Sequence, residues 1–366
     1  MAPRFLLSGG GSGGHIYPAL AIAEALRARR PDAQFLFVGA LGKMEMRRVP
    51  AAGFEIVGLP VAGFHRGLDL RNLSFPLKLA RSGARAWGTV RRFGPDAAIG
   101  TGGYASGPAL AAAHARGVPV FLQEQNAFPG VTNRLLGRVA RRVYLAYPGA
   151  ESYFASAKTL QTGNPLRGAL DRATLPSRGE GATHFGLDAA RPTLLSFGGS
   201  QGARSMNEAH AAMTDFWARR TDLQLIWQTG EGYYARFGES PTARLPNVTC
   251  VPYLERMDLA YAAADLVACR AGALSISELQ LLGKPALLVP SPNVAGDHQT
   301  ANARAVERQG GAVVVPDREQ VAMLGEALPT LLRDGGRLRE LGDAMARAAR
   351  PDAAREIAAS ILEHVD

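Results

Sequence analysis

Two glycine-rich segments carry the clearest chemical signal in this chain. Gly9-Gly10-Gly11-Ser12-Gly13-Gly14-His15 follows the apolar run Arg4-Phe5-Leu6-Leu7, and Gly198-Gly199-Ser200-Gln201-Gly202-Ala203-Arg204 follows Thr193-Leu194-Leu195-Ser196-Phe197. Each precedes a helix-like stretch, so each reads as a strand, a tight turn and a helix N-terminus. Such a turn aims backbone N–H groups and the positive end of a helix dipole at one point, which suits phosphate. A third cluster, Gly100-Thr101-Gly102-Gly103-Tyr104-Ala105-Ser106-Gly107-Pro108, lets more backbone approach a bulky anion in the same half as the first loop. In the second half, Cys269-Arg270-Ala271-Gly272-Ala273-Leu274-Ser275-Ile276-Ser277-Glu278 again follows a strand-like run. A helix beginning near Ala273 would present N–H groups to an anion, with Arg270 adding charge at the mouth. Glu278, one turn in, is placed to take both hydroxyls of a ribose. Gln123-Glu124-Gln125-Asn126 and Asp297-His298-Gln299-Thr300-Ala301-Asn302 bunch amides and carboxylates at strand ends, a pattern suited to sugar hydroxyls.

These groups need a scaffold that gathers loops on one edge. Strand-like runs fall at 4–8, 34–38, 96–100, 118–122 and 142–146, then at 193–197, 223–227, 248–251, 266–269, 286–289 and 312–315. Helical patterns such as Pro18–Leu26 lie between several of them. Alternating apolar strands and helices predict an α/β fold of two Rossmann-like domains, each a parallel sheet covered on both faces. Ligands in such sheets sit beyond the carboxyl ends of the strands, so the glycine loops are expected to line a shared cleft. The turn-forming Gly163-Asn164-Pro165 marks a junction near 160–166, dividing a first domain at 1–163 from a second at 164–350. Segment 172–192, rich in Arg, Gly, Ser and Pro, reads as a surface connection, and 351–366 as a terminal helix packing back on the first domain.

Composition removes several classes. Hydrophobic content of 47% and charged content of 20% describe a globular protein, and no apolar run reaches the length of a membrane span. The N-terminus enters a strand directly, with no leader-like pattern. Cys250 and Cys269 lack metal-ligand spacing and read as buried thiols in a reducing cytosol. Residues 1–163 hold 20 Lys and Arg against 8 Asp and Glu, a net of +12, whereas the remainder holds 21 against 24, a net of −3. A basic first half points to an anionic surface; without a zinc-finger, RNP or helix-turn-helix pattern, a membrane fits better than nucleic acid. A dinucleotide-binding oxidoreductase would carry an acidic residue at the end of its second strand, where this chain reads Val38-Gly39-Ala40.

Taken in order, the glycine loop at 9–15, Gly102-Gly103-Tyr104 with Ser106-Gly107-Pro108, Glu124-Gln125-Asn126, Gly163-Asn164-Pro165 with Arg167, the loop at 198–204 and Arg270–Ser275 closely resemble the MurG family of bacterial peptidoglycan glycosyltransferases. The resemblance covers nearly the whole chain and implies the GT-B fold. It implies transfer of N-acetylglucosamine from UDP-N-acetylglucosamine to lipid I (undecaprenyl-pyrophosphoryl-N-acetylmuramyl pentapeptide), giving lipid II. The acceptor would lie at the first domain, against Gly10, Gly11, Gly102, Gly103 and Tyr104, and the donor at the second. Carried over, Ser12, Gly13, Gly14 and Asn126 would lie near the transferred sugar, and Arg167, Ser200, Gln201 and Gly202 at the donor nucleotide and its phosphates. The Leu254 backbone would contact uracil; Ala273, Leu274 and Ser275 would hold phosphate or sugar, with Arg270 beside them, Glu278 the ribose and Gln299 the sugar hydroxyls. Two departures stand out: Gln123 occupies a position where many members have His, and Thr300 one where some have Gln.

The expected reaction is a single inverting displacement by the muramyl C4 hydroxyl. No two aspartates are two residues apart, so the Asp-x-Asp metal motif is absent and no metal or other cofactor is expected. His15 is the first candidate for the base, with Glu124 the second. Leu73, Phe75, Leu77, Leu79 and Trp87, interspersed with Lys78, Arg81, Arg85, Arg91 and Arg92, suit peripheral attachment to anionic lipids at the cytoplasmic face of the membrane. A UDP-N-acetylglucosamine 2-epimerase and a non-catalytic sugar-nucleotide sensor are the alternatives.

Overall fold

A computed structural model describes residues 2–61, 75–166, 170, 172–199, 201–294 and 297–365, with backbone alone for 75–77. Two compact units emerge, one formed by Met1–Gly168 with Arg350–Asp366 and the other by Ala169–Ala349.

The first unit alternates β1 (Arg4–Ser8), α1 (Gly13–Arg29), β2 (Gln34–Ala40), α2 (Glu45–Ala51), β3 (Glu55–Leu59), α3 (Phe75–Phe93), β4 (Ala97–Gly100), α4 (Ser106–Ala115), β5 (Val120–Glu124), α5 (Val131–Leu136), β6 (Arg142–Leu145) and β7 (Thr159–Gln161). Its sheet runs β3-β2-β1-β4-β5-β6-β7, with every pairing parallel. Inner strands such as Val120–Glu124 are buried on both faces, which explains their continuous apolar runs. On one face, Ile16, Leu20 and Ile22 of α1 pack with Phe5, Phe37 and Phe121 of the sheet and with Ile357, Ile361 and Leu362 of the final helix, Ala353–Leu362. Burying those three terminal side chains contributes about 1.5–3 kcal/mol each. The opposite face joins Leu6, Val38 and Leu122 to Ala86 and Val90 of α3 and Leu110 of α4.

The second unit contains α6 (Arg178–His184), β8 (Thr193–Phe197), α7 (Arg204–Ala212), α8 (Thr214–Arg219), β9 (Gln224–Gln228), α9 (Glu231–Phe237), β10 (Val248–Val251), α10 (Met257–Ala263), β11 (Leu266–Arg270), α11 (Ala273–Leu282), β12 (Ala286–Val289), α12 (His298–Arg308), β13 (Ala312–Val314), α13 (Gln320–Leu331) and α14 (Gly335–Arg347). Its sheet runs β10-β9-β8-β11-β12-β13, again wholly parallel. Trp217 and Trp227 are fully buried in its core beside Leu225 and Leu287.

Strands β3 and β7 were not expected from the sequence. Both lie at sheet edges, and their partly exposed residues break the continuous apolar run of an inner strand. Segment 172–192, read as a plain connection, contains α6. Its start is a capping box: Ser177 Oγ accepts the Glu180 N–H, and the Glu180 carboxylate accepts the Ser177 N–H at 2.8 Å.

Candidate functional site

In the first unit the strand order reverses between β1 and β4, so the loops leaving these strands diverge and open a crevice at the carboxyl edge. The glycine segments at 9–15 and 100–108 meet there. Gly103 has φ +78°, and a Cβ at this position would fall 2.1 Å from the Gly10 carbonyl oxygen, so the close approach excludes any side chain. His15 opens α1, partly exposed, with Nδ1 3.0 Å from the Thr101 carbonyl oxygen and 3.0 Å from Gln125 Oε1. Thr101 Oγ1 in turn donates to the His15 carbonyl at 2.7 Å. Ser12, extended at φ −155°, precedes the helix, and Ser12 and Gly14 remain exposed.

Two carboxylates in this unit are buried. Glu124 is 2% exposed and accepts hydrogen bonds from Asn126 N–H (3.0 Å), Asn126 Nδ2 (3.2 Å), Gly130 N–H (3.1 Å) and Asn133 Nδ2 (2.8 Å). A buried carboxylate with four donors holds the loop after β5 in shape. Glu45 was not anticipated. It is 0% exposed and accepts the Gly11 N–H at 3.2 Å and the Ala40 N–H at 3.0 Å. The end of β2 carries no acidic residue of its own, and this carboxylate reaches back to it from the start of α2. Gly11 therefore spends its N–H on an internal acceptor, and a buried acidic side chain backs Gly10 and Gly11. The Tyr104 ring lies against Gly11, and desolvation followed by the nearby Glu45 carboxylate pushes its phenol upward.

Gln123 is fully buried. Its amide donates to Asn164 Oδ1 at 3.0 Å, while Asn164 Nδ2 donates to the Gln125 carbonyl at 3.2 Å. The residue that departs from the family pattern thus ties β5 to the junction segment through neutral amides.

The second unit reverses its strand order between β8 and β11, which lie side by side in its sheet. Gly202, at φ +74°, passes so close to the Thr229 carbonyl that a Cβ would sit 1.9 Å from it. Gln228 Nε2 donates to the Gly199 carbonyl at 3.2 Å, and Gln201 is exposed. Helix α11 starts at Ala273 after Gly272, with no acidic residue in its first turn; Leu274 and Ser275 are partly exposed there. Glu278 Oε2 accepts the Tyr261 hydroxyl at 2.8 Å, and burial pushes its carboxyl up to about 7.

Arg270 is turned inward. It donates to the Asp317 carboxylate, to Ser205 Oγ and to the Val289 and Pro290 carbonyls. Its charge is paired with Asp317. Gln299 Oε1 accepts the Ser291 N–H at 2.8 Å, and Thr300 Oγ1 donates to Asp297 at 2.7 Å. Asp297 adopts φ 51°, the one non-glycine positive φ among the described residues. Leu254 is buried and its neighbour Tyr253 is exposed.

Arg167, Ser200 and Leu73 lie outside the described residues, as do the side chains of Phe75 and Leu77. On α3, Leu79 and Trp87 are 48% and 43% exposed, alongside exposed Lys78, Arg81, Arg85, Arg91 and Arg92. The Arg116 guanidinium covers part of the Trp87 ring at 5.4 Å. Among the described residues no helix is long and apolar enough to cross a membrane.

The role of Glu45 is open to a direct measurement. Glu45→Ala leaves the Gly11 and Ala40 N–H groups unpaired and is expected to cost about 1–3 kcal/mol in chemical unfolding, with Glu45→Gln intermediate.

Comparison with known proteins agrees with this geometry. The glycosyltransferase family 28 N-terminal domain matches residues 5–145, and the family 28 C-terminal domain matches residues 193–357. A relative from Bacteroides fragilis, named UDP-N-acetylglucosamine–N-acetylmuramyl-(pentapeptide) pyrophosphoryl-undecaprenol N-acetylglucosamine transferase, is 48% identical over 99% of this chain and 96% of its own. One from Porphyromonas gingivalis with the same name is 47% identical over 99% and 96%. The crystal structure of Acinetobacter baumannii MurG superposes with a TM-score of 0.76 at 29% identity, covering 99% of both chains. The chain therefore belongs to the MurG family, within glycosyltransferase family 28.

Proposed function

We propose that this protein transfers N-acetylglucosamine from UDP-N-acetylglucosamine to the C4 hydroxyl of the muramyl sugar of lipid I, giving lipid II for peptidoglycan synthesis. The observation that carries this reading is the 48% identity, across 99% of the chain, to a relative named for that transfer. Residues 1–163 take the acceptor and 164–350 the donor, with 351–366 supporting the first. Diphosphate rests against the loop at Gly198–Gly202 and the start of α11, joined by Ser200 and Arg167. Glu278 takes the ribose hydroxyls, the Leu254 main chain the uracil, and Gln299 the sugar hydroxyls. The transferred sugar lies near Ser12, Gly13, Gly14 and Asn126, with Gly102, Gly103 and Tyr104 flanking the acceptor's pyrophosphate.

The C4 hydroxyl oxygen attacks the anomeric carbon from the face opposite UDP. The C–O bond to UDP breaks, its electron pair leaves with the diphosphate, and a β-1,4 bond forms. The hydroxyl proton passes to His15. Negative charge grows on the leaving diphosphate, and preorganised N–H donors stabilise it more in the transition state than in the ground state. Hydrogen bonds to such a charged group contribute about 1.5–3 kcal/mol each, so two or three suffice to matter without a metal.

Attachment to the cytoplasmic face of the membrane is supported by Leu79 and Trp87 among the α3 cations. Two inserted side chains at about 1.5–3 kcal/mol each, with about 1 kcal/mol per nearby basic residue, give reversible binding to anionic lipids.

Incubation with labelled UDP-N-acetylglucosamine and a short-chain lipid I analogue should release UDP and yield a β-linked disaccharide, with or without a chelator. N-acetylmannosamine formed without acceptor would make the protein an epimerase instead, and binding without turnover a sensor. Calorimetric UDP affinity should weaken as pH falls through about 7, where Glu278 takes up a proton, and Glu278→Gln should abolish that step. In flotation with anionic vesicles, a Leu79→Ser/Trp87→Gln double variant should lose most of the bound fraction; unchanged flotation would remove the patch from the membrane surface.

A further inference from the structure

The contacts around His15 determine which of its ring nitrogens carries the proton. Nδ1 lies 3.0 Å from the Thr101 carbonyl oxygen and 3.0 Å from Gln125 Oε1. The orientation of the Gln125 amide is decided elsewhere. Its nitrogen lies 2.8 Å from the Thr101 carbonyl and 3.1 Å from the Gln123 carbonyl, two groups that only accept, and it also meets Gln123 Oε1. Turning the amide over would set its oxygen against those acceptor oxygens, in a place where Gln125 is 1% exposed. The amide oxygen therefore faces the imidazole. With two acceptors before it, Nδ1 must be the donor, and in the neutral ring the lone pair falls on Nε2.

We infer that Gln125, together with the Thr101 carbonyl, is a positioning residue that holds His15 as its Nδ1–H tautomer, leaving Nε2 to accept the proton of the attacking hydroxyl. The inference rests on the assignment of His15 as base. The clamp has parts on three strands' ends: His15 follows β1, Thr101 follows β4 and Gln125 follows β5. Gly102 and Gly103 close around the ring, and a Cβ on either would stand within 3.1–3.2 Å of it. The ring is thereby held on its Nδ1 side by groups that cannot turn away without breaking buried hydrogen bonds. Gln123 adds a further layer, because its own amide is fixed by Asn164 at 3.0 Å. No carboxylate is needed for this orientation; neutral amides and a main-chain carbonyl supply it.

The test reads the tautomer directly. Full-length protein labelled with 15N at histidine is observed by long-range proton–nitrogen correlation at alkaline pH, and His15 is assigned as the signal missing from His15→Gln. The wild type should show a protonated Nδ1 and a lone pair on Nε2; an Nε2–H ring there would overturn the inference. Gln125→Met keeps length but removes the acceptor and the anchor of the Thr101 carbonyl. It should admit the Nε2–H form and lower kcat by about ten- to a hundredfold, with KM for UDP-N-acetylglucosamine little changed. An unchanged tautomer and kcat in Gln125→Met would also overturn it. If that variant fails to fold, the wild-type spectrum still decides. Should His15→Gln retain turnover while Gln125→Met still shifts the tautomer, the clamp stands and the base assignment falls.

Discussion

Parallel strands impose one constraint on which everything else in this protein depends. A parallel connection must return to the starting edge through a crossover, so every loop leaving a strand's carboxyl end lies on the same side of its sheet. Where the order reverses, at β1/β4 and at β8/β11, consecutive crossovers part to opposite faces and leave room above the strand ends. Glycine loops follow the strands at both points. A phosphate-sized group can approach main chain there because no side chain stands in the way, and Gly103 and Gly202 show how little space is left for one.

Within the first unit, buried acids hold backbone in place. Glu45 fastens Gly11 and Ala40, and Glu124 fastens 126–130. Each accepts main-chain N–H groups that the loops themselves do not pair. The consequence is a division of labour among residues of similar type. Carboxylates shape the loops, an amide faces the imidazole, and the start of α1 stays exposed. The second unit repeats the logic with Asp317, which pairs with Arg270 and, through it, joins the ends of β11 and β12 to Ser205 of α7.

Most inner strands were legible in the sequence because burial on both faces demands unbroken apolar runs, and α11 was placed at Ala273 by its glycine and following periodicity. Edge strands β3 and β7 escaped, since partial exposure relaxes that demand. Helix α6 is announced only by a Ser-x-x-Glu signature set amid Pro and Gly. In the site, residue types were readable but their partners were not. Arg270 meets Asp317 across 47 positions, Gln123 meets Asn164 across 41, and His15 meets Gln125 across 110. No local pattern encodes such pairings, so a carboxylate in a loop and one that grips a loop look alike until the chain is folded.

The final helix completes the apolar face formed by α1, although more than three hundred residues separate their starts. Protein synthesis runs from the amino end, and domains tend to fold as units while the chain emerges. The second sheet has all six of its strands before Ile357 is made. The first, begun earliest, keeps an oily groove over α1 until Ile357, Ile361 and Leu362 leave the ribosome, so the half that starts first is finished last.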